Sequence, residues 1–251
     1  PQKRIEEDYL RIIRFIRFSL EYMSRVENKT LNIIKINLEG IKKISKERIL
    51  SELIKILKTS NFLDINNNFE LKLIFELIFP EIRYLERLKH IKTMNISSVV
   101  KSEIFLAILL IDEKNNHEYF THKYNISNYL KDDLNLLAKN FLKIIKDKNF
   151  LIKDLNKNIY FYGKKHLKTL SLLYYSYNKK NKVNENLEVL KKIDKIVIPN
   201  FIYDGNYLKA KGMKEGTLIG KTLKIIEDEW LRNNFKIYEK RITEIIKKQN
   251  S

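Results

Sequence analysis

The chain has no cysteine, and among its 251 residues it has only three prolines and six glycines. Without cysteine there can be no disulfide, no thiolate metal ligand and no thiol nucleophile. We expect a protein of the reducing cytoplasm, where disulfides are rare. No proline interrupts residues 81–198, and leucine, isoleucine, lysine, glutamate and asparagine dominate the sequence. This composition predicts an all-α fold with no substantial sheet.

Long apolar runs are also missing. The longest, residues 104–111, is much shorter than the roughly 18 apolar residues that span a bilayer. We therefore expect no membrane-spanning segment. The first residues are charged and amphipathic, unlike a secretory signal peptide. Because Pro1 stands where an initiator methionine would, we expect a processed chain, an expressed fragment or a piece of a longer protein.

Acidic residues are too few to balance the basic ones. The chain has 31 aspartates and glutamates against 49 lysines and arginines, which leaves a net charge of +18. A charge of this size favours a polyanionic partner. Nucleic acid is the first candidate and an anionic membrane surface the second. The alternative is a basic protein whose charge serves solubility alone.

Residues 5–18 (IEEDYLRIIRFIRF) combine an acidic pair with three arginines at three-residue spacing. A surface helix has no structural need for this pattern. If the stretch is one helix that advances about 100° per residue, its apolar side chains form a single buried stripe: Ile5, Ile12, Ile13, Ile16 and Leu20. Asp8 and Arg11 then lie side by side at the edge of that stripe, whereas Arg14 points away from it.

Two interpretations of Asp8 and Arg11 remain open at this point. An ion pair at i,i+3 spacing would stabilise the helix by only about a few tenths of a kcal/mol. In the second interpretation the two side chains bind a ligand together. The carboxylate only accepts hydrogen bonds and the guanidinium only donates them, so the pair can read the edge of a nucleobase. Geometry alone does not choose between the two.

Four of the six glycines lie within residues 205–220. The segment GTLIGKT in this region lacks the spacing of a phosphate-binding P-loop, which needs four residues between its first glycine and its Gly-Lys pair. The cluster instead predicts a glycine turn that leads into a helix beginning near Leu218. Nearby lysines could hold a nucleic-acid phosphate at this helix start: Lys211, Lys214 and Lys221. A tight helix–helix corner is the alternative.

Tyrosines and histidines give weaker signals. Tyr174, Tyr175 and Tyr177 could stack on bases, although a tyrosine-rich apolar run more often belongs to a core. The four histidines show no metal-ligand spacing, and there is no HExxH motif. We therefore predict no metal ligand among them.

Three sequence segments together resemble one protein family. They are residues 5–18, the segment ISKERILSELIKIL at residues 44–57, and the Pro80-Glu81 corner. Their order and spacing resemble the region that follows the catalytic head in bacterial class II tRNA nucleotidyltransferases (CCA-adding enzymes) and bacterial poly(A) polymerases. The glycine pattern of residues 205–223 (GNYLKAKGMKEGTLIGKTL) resembles the tail of the same family.

The resemblance implies roles for the residues of the first motif. Asp8 and Arg11 would pair with the base of the incoming CTP or ATP, and Glu7 would help to hold that arrangement. Arg14 and Arg17 would support the neck or its contact with the head. The basic body and tail would grip tRNA largely through its phosphates and its shape.

The resemblance also implies an organisation in three parts. Residues 1–95 would form a helical neck with the nucleotide-selecting region, residues 96–190 a helical body, and residues 191–251 a helical tail with the glycine-rich turn. These parts would make an elongated, curved array of helices. The implied partners are tRNA or another RNA, CTP or ATP, and a catalytic head, with no membrane.

Phosphoryl transfer of this kind needs paired carboxylates that hold metal ions near the triphosphate. The chain has no Asp-x-Asp motif and no glycine-rich loop before Gly205. We therefore expect no catalytic residue and no cofactor bound by this chain, with Mg²⁺ and CTP or ATP arriving through a head in cis or in trans. The same sequence fits the equivalent part of a poly(A) polymerase, or a stand-alone RNA-binding module without catalysis.

Overall fold

The computed structural model describes residues 2–96, 101–178 and 182–250, and in these residues the chain is all-α, as the composition predicts. Short 3-10 helices span Leu38–Lys43, Phe62–Asn67 and Lys148–Leu151. The α-helices in chain order are α1 (Gln2–Glu7), α2 (Leu10–Glu21), α3 (Asn28–Asn37), α4 (Lys46–Leu57), α5 (Phe69–Ile78), α6 (Arg87–Thr93), α7 (Ser102–Leu110), α8 (Asn116–Tyr124), α9 (Asn128–Lys146), α10 (Leu155–Tyr177), α11 (Val183–Lys195), α12 (Gly205–Ala210), α13 (Thr217–Arg232) and α14 (Glu239–Asn250).

The opening stretch forms two helices, so the expectation of one continuous helix is wrong. α1 ends at Glu7, and α2 begins at Leu10. Between them the Asp8 carboxylate accepts a hydrogen bond from the Leu10 backbone N–H at 3.2 Å. An aspartate side chain that takes a backbone donor in this way competes with helix continuation and favours a new helix start. Angles measured from Asp8 along a single helix therefore do not hold, although the apolar stripe of α2 is buried.

The chain divides into two compact units. Unit 1 comprises Pro1–Lys148 and Lys168–Leu190, and unit 2 comprises Asn149–Leu167 and Lys191–Ser251. In unit 1, α7 is apolar on all sides, and α4, α6, α8 and α9 pack against it. A helix that is apolar all round must be buried, so α7 is the centre of the unit 1 core.

Arg87 closes the C-terminal end of α7. Its guanidinium donates hydrogen bonds to the carbonyl oxygens of Ile108 and Ile111, each at 2.7 Å. The Tyr84 ring lies 3.9 Å from the guanidinium carbon, and the Tyr84 hydroxyl donates to Asp112 at 2.7 Å. The buried arginine therefore satisfies carbonyl groups that the end of a helix leaves without partners.

Unit 2 has its own core, formed where α12, α13 and α14 meet. Its fully buried side chains are Leu208, Met213, Ile226, Ile242, Ile245 and Ile246. Trp230, the only tryptophan of the chain, packs there against Phe201 and Phe235.

The division into neck, body and tail at residues 95 and 190 stays a prediction. Within the described ranges, no helix has both the length and the hydrophobicity to cross a bilayer.

Candidate functional site

The four candidate nucleotide-binding residues lie together where α1 meets α2. Their ion pairs are not those expected on one continuous helix, where Asp8 would lie beside Arg11. Arg11 pairs with Glu7 at 3.7 Å, whereas Asp8 contacts Arg48 at 3.3 Å and Arg14 at 3.9 Å. Because α1 ends before Asp8, Glu7 and Arg11 come to one side of the junction, and Asp8 turns towards α4.

Asp8 is held from two sides. The Leu10 backbone N–H donates to one of its carboxylate oxygens, and Arg48 Nη2 lies 3.3 Å and 3.5 Å from the two oxygens. Arg48 belongs to α4, whose start is capped by the Ser45 hydroxyl. Arg48 was not predicted as a site residue. It lies within the segment at residues 44–57, but only the packing of α2 along α4 brings it to Asp8.

Glu52 is the second residue that sequence reasoning missed, and it anchors the arginines of α2. Its carboxylate is buried and contacts Lys55 at 2.8 Å, Arg17 at 3.2 Å and Arg14 at 3.6 Å. Burial alone would raise the pKa of Glu52. The hydrogen bond from Lys55 and the positive charges around the carboxylate outweigh burial and hold the pKa below its ordinary value. Arg14 therefore bridges Asp8 and Glu52 and ties the α1–α2 junction to α4.

An open cavity of about 640 Å³ adjoins this junction. Its walls on α1 and α2 include Arg4, Glu7, Arg11 and Phe15, and α3 contributes Ile34. The cavity can hold a planar base, since it offers a carboxylate acceptor, guanidinium donors and an aromatic ring. Glu7 and Arg11 line the cavity together, whereas Asp8 is not among its lining residues and faces Arg48 on α4.

Gly40 allows close packing at the same junction. The Tyr9 ring lies so near the 3-10 helix at Leu38–Lys43 that a Cβ on Gly40 would approach two ring carbons to 2.1 Å.

The Gly40→Ala substitution should therefore lower the free energy of unfolding by about 1–3 kcal/mol, the usual cost of overpacking. Urea denaturation measures the effect. The matched control is Gly220→Ala on α13, where a Cβ meets nothing within 4 Å, and its midpoint should stay the same or rise. Equal losses for the two variants would contradict this assignment.

The glycine-rich region of unit 2 has the form that its sequence predicts. Gly216 has φ 144° and caps α13, so the helix begins one residue before the expected Leu218. Lys211, Lys214 and Lys221 are all exposed around this turn. The Lys211 ammonium contacts the Glu239 carboxylate, which offsets part of its charge. The three lysines thus lie in one region, and Lys211 is the least available to a phosphate.

The tyrosines near the end of α10 belong to the core of unit 1, which confirms the alternative favoured from the sequence. Tyr175 is buried, while Tyr174 and Tyr177 are partly buried. The Tyr177 ring packs edge-on against Phe141 at a centroid distance of 5.1 Å. These rings fill space in the core, so base stacking must be sought elsewhere on the surface.

Comparison with known proteins confirms the family resemblance. Residues 25–85 match the family described as the probable RNA and SrmB-binding site of polymerase A. A CCA-adding enzyme from Staphylococcus haemolyticus is 31% identical over 138 residues, which are 55% of this chain and 33% of that enzyme. The mitochondrial CCA tRNA nucleotidyltransferase 1 of Mus musculus is 26% identical over 265 aligned residues, covering 98% of this chain and 57% of the mouse protein.

Solved structures share the fold over the whole length of the chain. The Thermotoga maritima CCA-adding enzyme in complex with tRNA matches 100% of this chain and 63% of its own, with a TM-score of 0.63 and 19% identity. At that identity the likeness concerns the fold. The chain covers less than two thirds of each of these three relatives.

Proposed function

The chain is related in sequence and fold to the C-terminal helical region of class II CCA-adding enzymes, and from this we propose that it selects nucleotides and binds tRNA for such an enzyme. A catalytic head, in cis or in trans, performs the transfer. The observation that carries the proposal is the alignment of 98% of the chain with a CCA tRNA nucleotidyltransferase. The donor and acceptor groups at the α1–α2 junction support it.

The chemistry of the bases explains why one pair of side chains can serve both CTP and ATP. Cytosine and adenine each present an amino donor beside a ring-nitrogen acceptor. A carboxylate can accept from the amino group while a guanidinium donates to the ring nitrogen. Uracil and guanine present a carbonyl and an N–H in the reverse order and would leave both protein groups unpaired. We assign the guanidinium to Arg11 and the carboxylate to Asp8, with Glu7 holding Arg11.

The pairing of Asp8 in the structure bears on this assignment. Arg48 contacts both oxygens of Asp8, so Asp8 must exchange this contact for a base or bind a base beside it. Arg14 keeps its bridge to Glu52 in either case and acts as a positioning residue. Mg²⁺ and the triphosphate belong to the head. Among the described residues no group of three histidine, aspartate or glutamate side chains could hold a metal ion.

Nucleotide selection can be tested with a catalytic head supplied in trans. CTP and ATP incorporation is measured on tRNA that lacks its CCA end, against UTP and GTP. Asp8→Ala and Arg11→Ala should each reduce the preference for the correct nucleotide by about 5–150-fold, since a bidentate pair is worth about 1–3 kcal/mol of discrimination. tRNA binding should be almost unchanged. An equal loss of tRNA binding would contradict the division of labour, and tRNA binding without any incorporation would leave an RNA-binding module.

Phosphate contacts of unit 2 are assigned to the lysines around the glycine turn. The double variant Lys214→Ala/Lys221→Ala should weaken tRNA binding and lower the slope of log K against log salt by about 2, one for each phosphate contact. Lys211→Ala is the matched comparison, and its effect should be smaller because Lys211 already contacts Glu239. Fluorescence anisotropy across a salt series gives the slopes. An unchanged slope in the double variant would remove these two lysines from the interface.

A poly(A) polymerase is the second candidate, because residues 25–85 match a family described by polymerase A. The same assay separates the two activities. A CCA-adding enzyme incorporates both CTP and ATP, whereas a poly(A) polymerase part would support ATP alone and add it repeatedly.

A further inference from the structure

One face of α2 carries aromatic rings that are accessible rather than packed into the core of unit 1. Arg11, Phe15, Phe18 and Tyr22 follow one another at intervals of four, three and four residues. At about 100° per residue they lie within about 60° of each other. Tyr22 follows the last residue of α2, but its backbone N–H still donates to the Phe18 carbonyl at 2.9 Å. The four side chains therefore form a continuous row about 16 Å long, given a rise of about 1.5 Å per residue.

The rings of this row are accessible. Phe18 is 44% exposed and Tyr22 is 71% exposed, and Phe15 lines the cavity that also contains Arg11. The tyrosines of α10 that could have stacked on bases lie in the core instead. The accessible rings on α2 thus begin at the candidate nucleotide-binding cavity and continue along the helix away from it.

The rings are oriented as stacking surfaces. The planes of Phe18 and Tyr22 are within 15° of parallel, with centroids 6.3 Å apart, and the Arg17 guanidinium lies 4.4 Å from the Phe18 centroid. Proteins that bind single-stranded nucleic acid combine aromatic faces with cations in this way, because every base has a π-face and every nucleotide a negative charge.

The charge of the row favours a nucleic acid over a protein partner. Arg11 and Arg17 flank its rings, although Glu7 and Glu52 offset part of their charge, and the chain as a whole carries +18. Double-stranded RNA keeps its base faces inside the helix, so only unpaired nucleotides can use such a surface. The rings from Phe15 to Tyr22 span about 10 Å, which could accompany about three nucleotides at the stacked spacing of about 3.4 Å.

We propose that Phe15, Phe18 and Tyr22 form a stacking track for the unpaired 3′ nucleotides of the RNA substrate, with Arg17 beside it. The track rests on the proposed function, in which nucleotides are added to an RNA 3′ end. It leads that end along α2 towards the cavity at Arg11. This face of unit 1 therefore recognises RNA with a single-stranded 3′ extension rather than a blunt duplex.

The test uses the full chain and a short single-stranded RNA with 2-aminopurine near its 3′ end. The variant Phe18→Leu/Tyr22→Leu keeps apolar side chains but removes both rings. Its affinity for the single strand should fall about 5–150-fold or more, which converts from about 1–3 kcal/mol of stacking per base, and quenching of the probe should disappear. The affinity for a blunt RNA duplex should change less than twofold. The matched control, Tyr119→Leu/Tyr129→Leu, removes two exposed rings from α8 and α9 and should bind like the unmodified chain.

Each other result has a definite meaning. Unchanged affinity and quenching in the Phe18/Tyr22 variant would overturn the track, as would an equal loss in the control. Loss of head-dependent incorporation with unchanged RNA affinity would also overturn it and identify this face as a protein contact. Failure of the unmodified chain to bind tRNA would count against the proposed function itself. The single variant Tyr22→Leu, at a largely exposed position, gives an independent reading with little effect on folding.

Discussion

Replacing Arg87 by methionine should lower the free energy of unfolding of unit 1 by about 2–6 kcal/mol. Methionine approximates the length of the side chain but donates no hydrogen bond. The carbonyl oxygens of Ile108 and Ile111 would lose the donor that each has at 2.7 Å. A buried polar group left without a partner costs about 1–3 kcal/mol, and two such groups give the expected range.

Burial opposes the charge of Arg87 but does not remove it at neutral pH. Desolvation lowers the pKa of Arg87 to about 10, against the attraction of Asp112 and the tyrosine hydroxyls. The guanidinium is therefore charged near pH 7 and donates to both carbonyls. The matched control is Arg83→Met, since Arg83 is exposed and a surface substitution usually changes stability by about 0.5 kcal/mol or less. Urea denaturation followed by circular dichroism compares them. A similar loss in both variants would show that the α7 cap contributes little.

Replacing Glu52 by glutamine should cost about 2–3 kcal/mol near pH 7. Removing one partner of a buried ion pair costs about 3–5 kcal/mol, but Arg14 and Lys55 are partly exposed and can regain water. The expected cost therefore lies at or just below the lower end of that range. Because Arg14 also contacts Asp8, the substitution should loosen the α1–α2 junction and reduce nucleotide selection along with stability.

The pH dependence of this substitution follows from the lowered pKa of Glu52. In the unfolded chain the carboxyl titrates near its ordinary value of 4.5. Its stabilising effect is fully present above that pH and is lost as the pH falls through the lower folded value. The difference in stability between the unmodified chain and Glu52→Gln should therefore shrink below about pH 4.5. Glu47→Gln on the exposed side of α4 serves as the control. A difference that stays constant with pH would exclude an ionised Glu52 as its source.

The helical class and several local features could be predicted from the sequence because they depend on neighbouring residues. The few prolines and the apolar periodicity predict helices, and serine is a preferred helix-capping residue, as at Ser45 before α4 and Ser127 before α9. The cluster of four glycines in residues 205–220 predicts the turn before α13, and Gly216 takes the cap position there. Each of these depends on a stretch of only a few residues.

The partners of the site residues could not be predicted in the same way. Asp8 meets Arg48 across 40 positions of sequence, and Arg17 meets Glu52 across 35. These contacts exist because α2 packs along α4, and no local pattern gives the register of two helices. The break before α2 was missed for a different reason. It depends on whether the Asp8 side chain or the preceding helix takes the Leu10 N–H, and the two differ little in free energy.

The site can act as a unit because its charged groups are fixed by α4. Arg14 and Arg17 share the buried Glu52 carboxylate, and Asp8 is held by a backbone N–H and by Arg48. Arg14 and Arg17, held in this way, would need little reordering when a ligand binds, which favours selection among similar bases, whereas Asp8 would exchange or share its contact with Arg48. The rings of the stacking track lie on the same helix, so one rigid element would orient both the incoming nucleotide and the RNA end.

Binding of tRNA by the chain alone tests the central claim most directly. The measurement compares a tRNA that lacks its CCA end with a DNA duplex of equal phosphate number, by fluorescence anisotropy over a series of salt concentrations. The account predicts that tRNA binds more tightly than DNA at every salt concentration and that its affinity falls steeply as salt rises, because phosphate contacts and RNA shape both contribute. Absence of tRNA binding, or equal affinity for tRNA and DNA throughout the series, would contradict it.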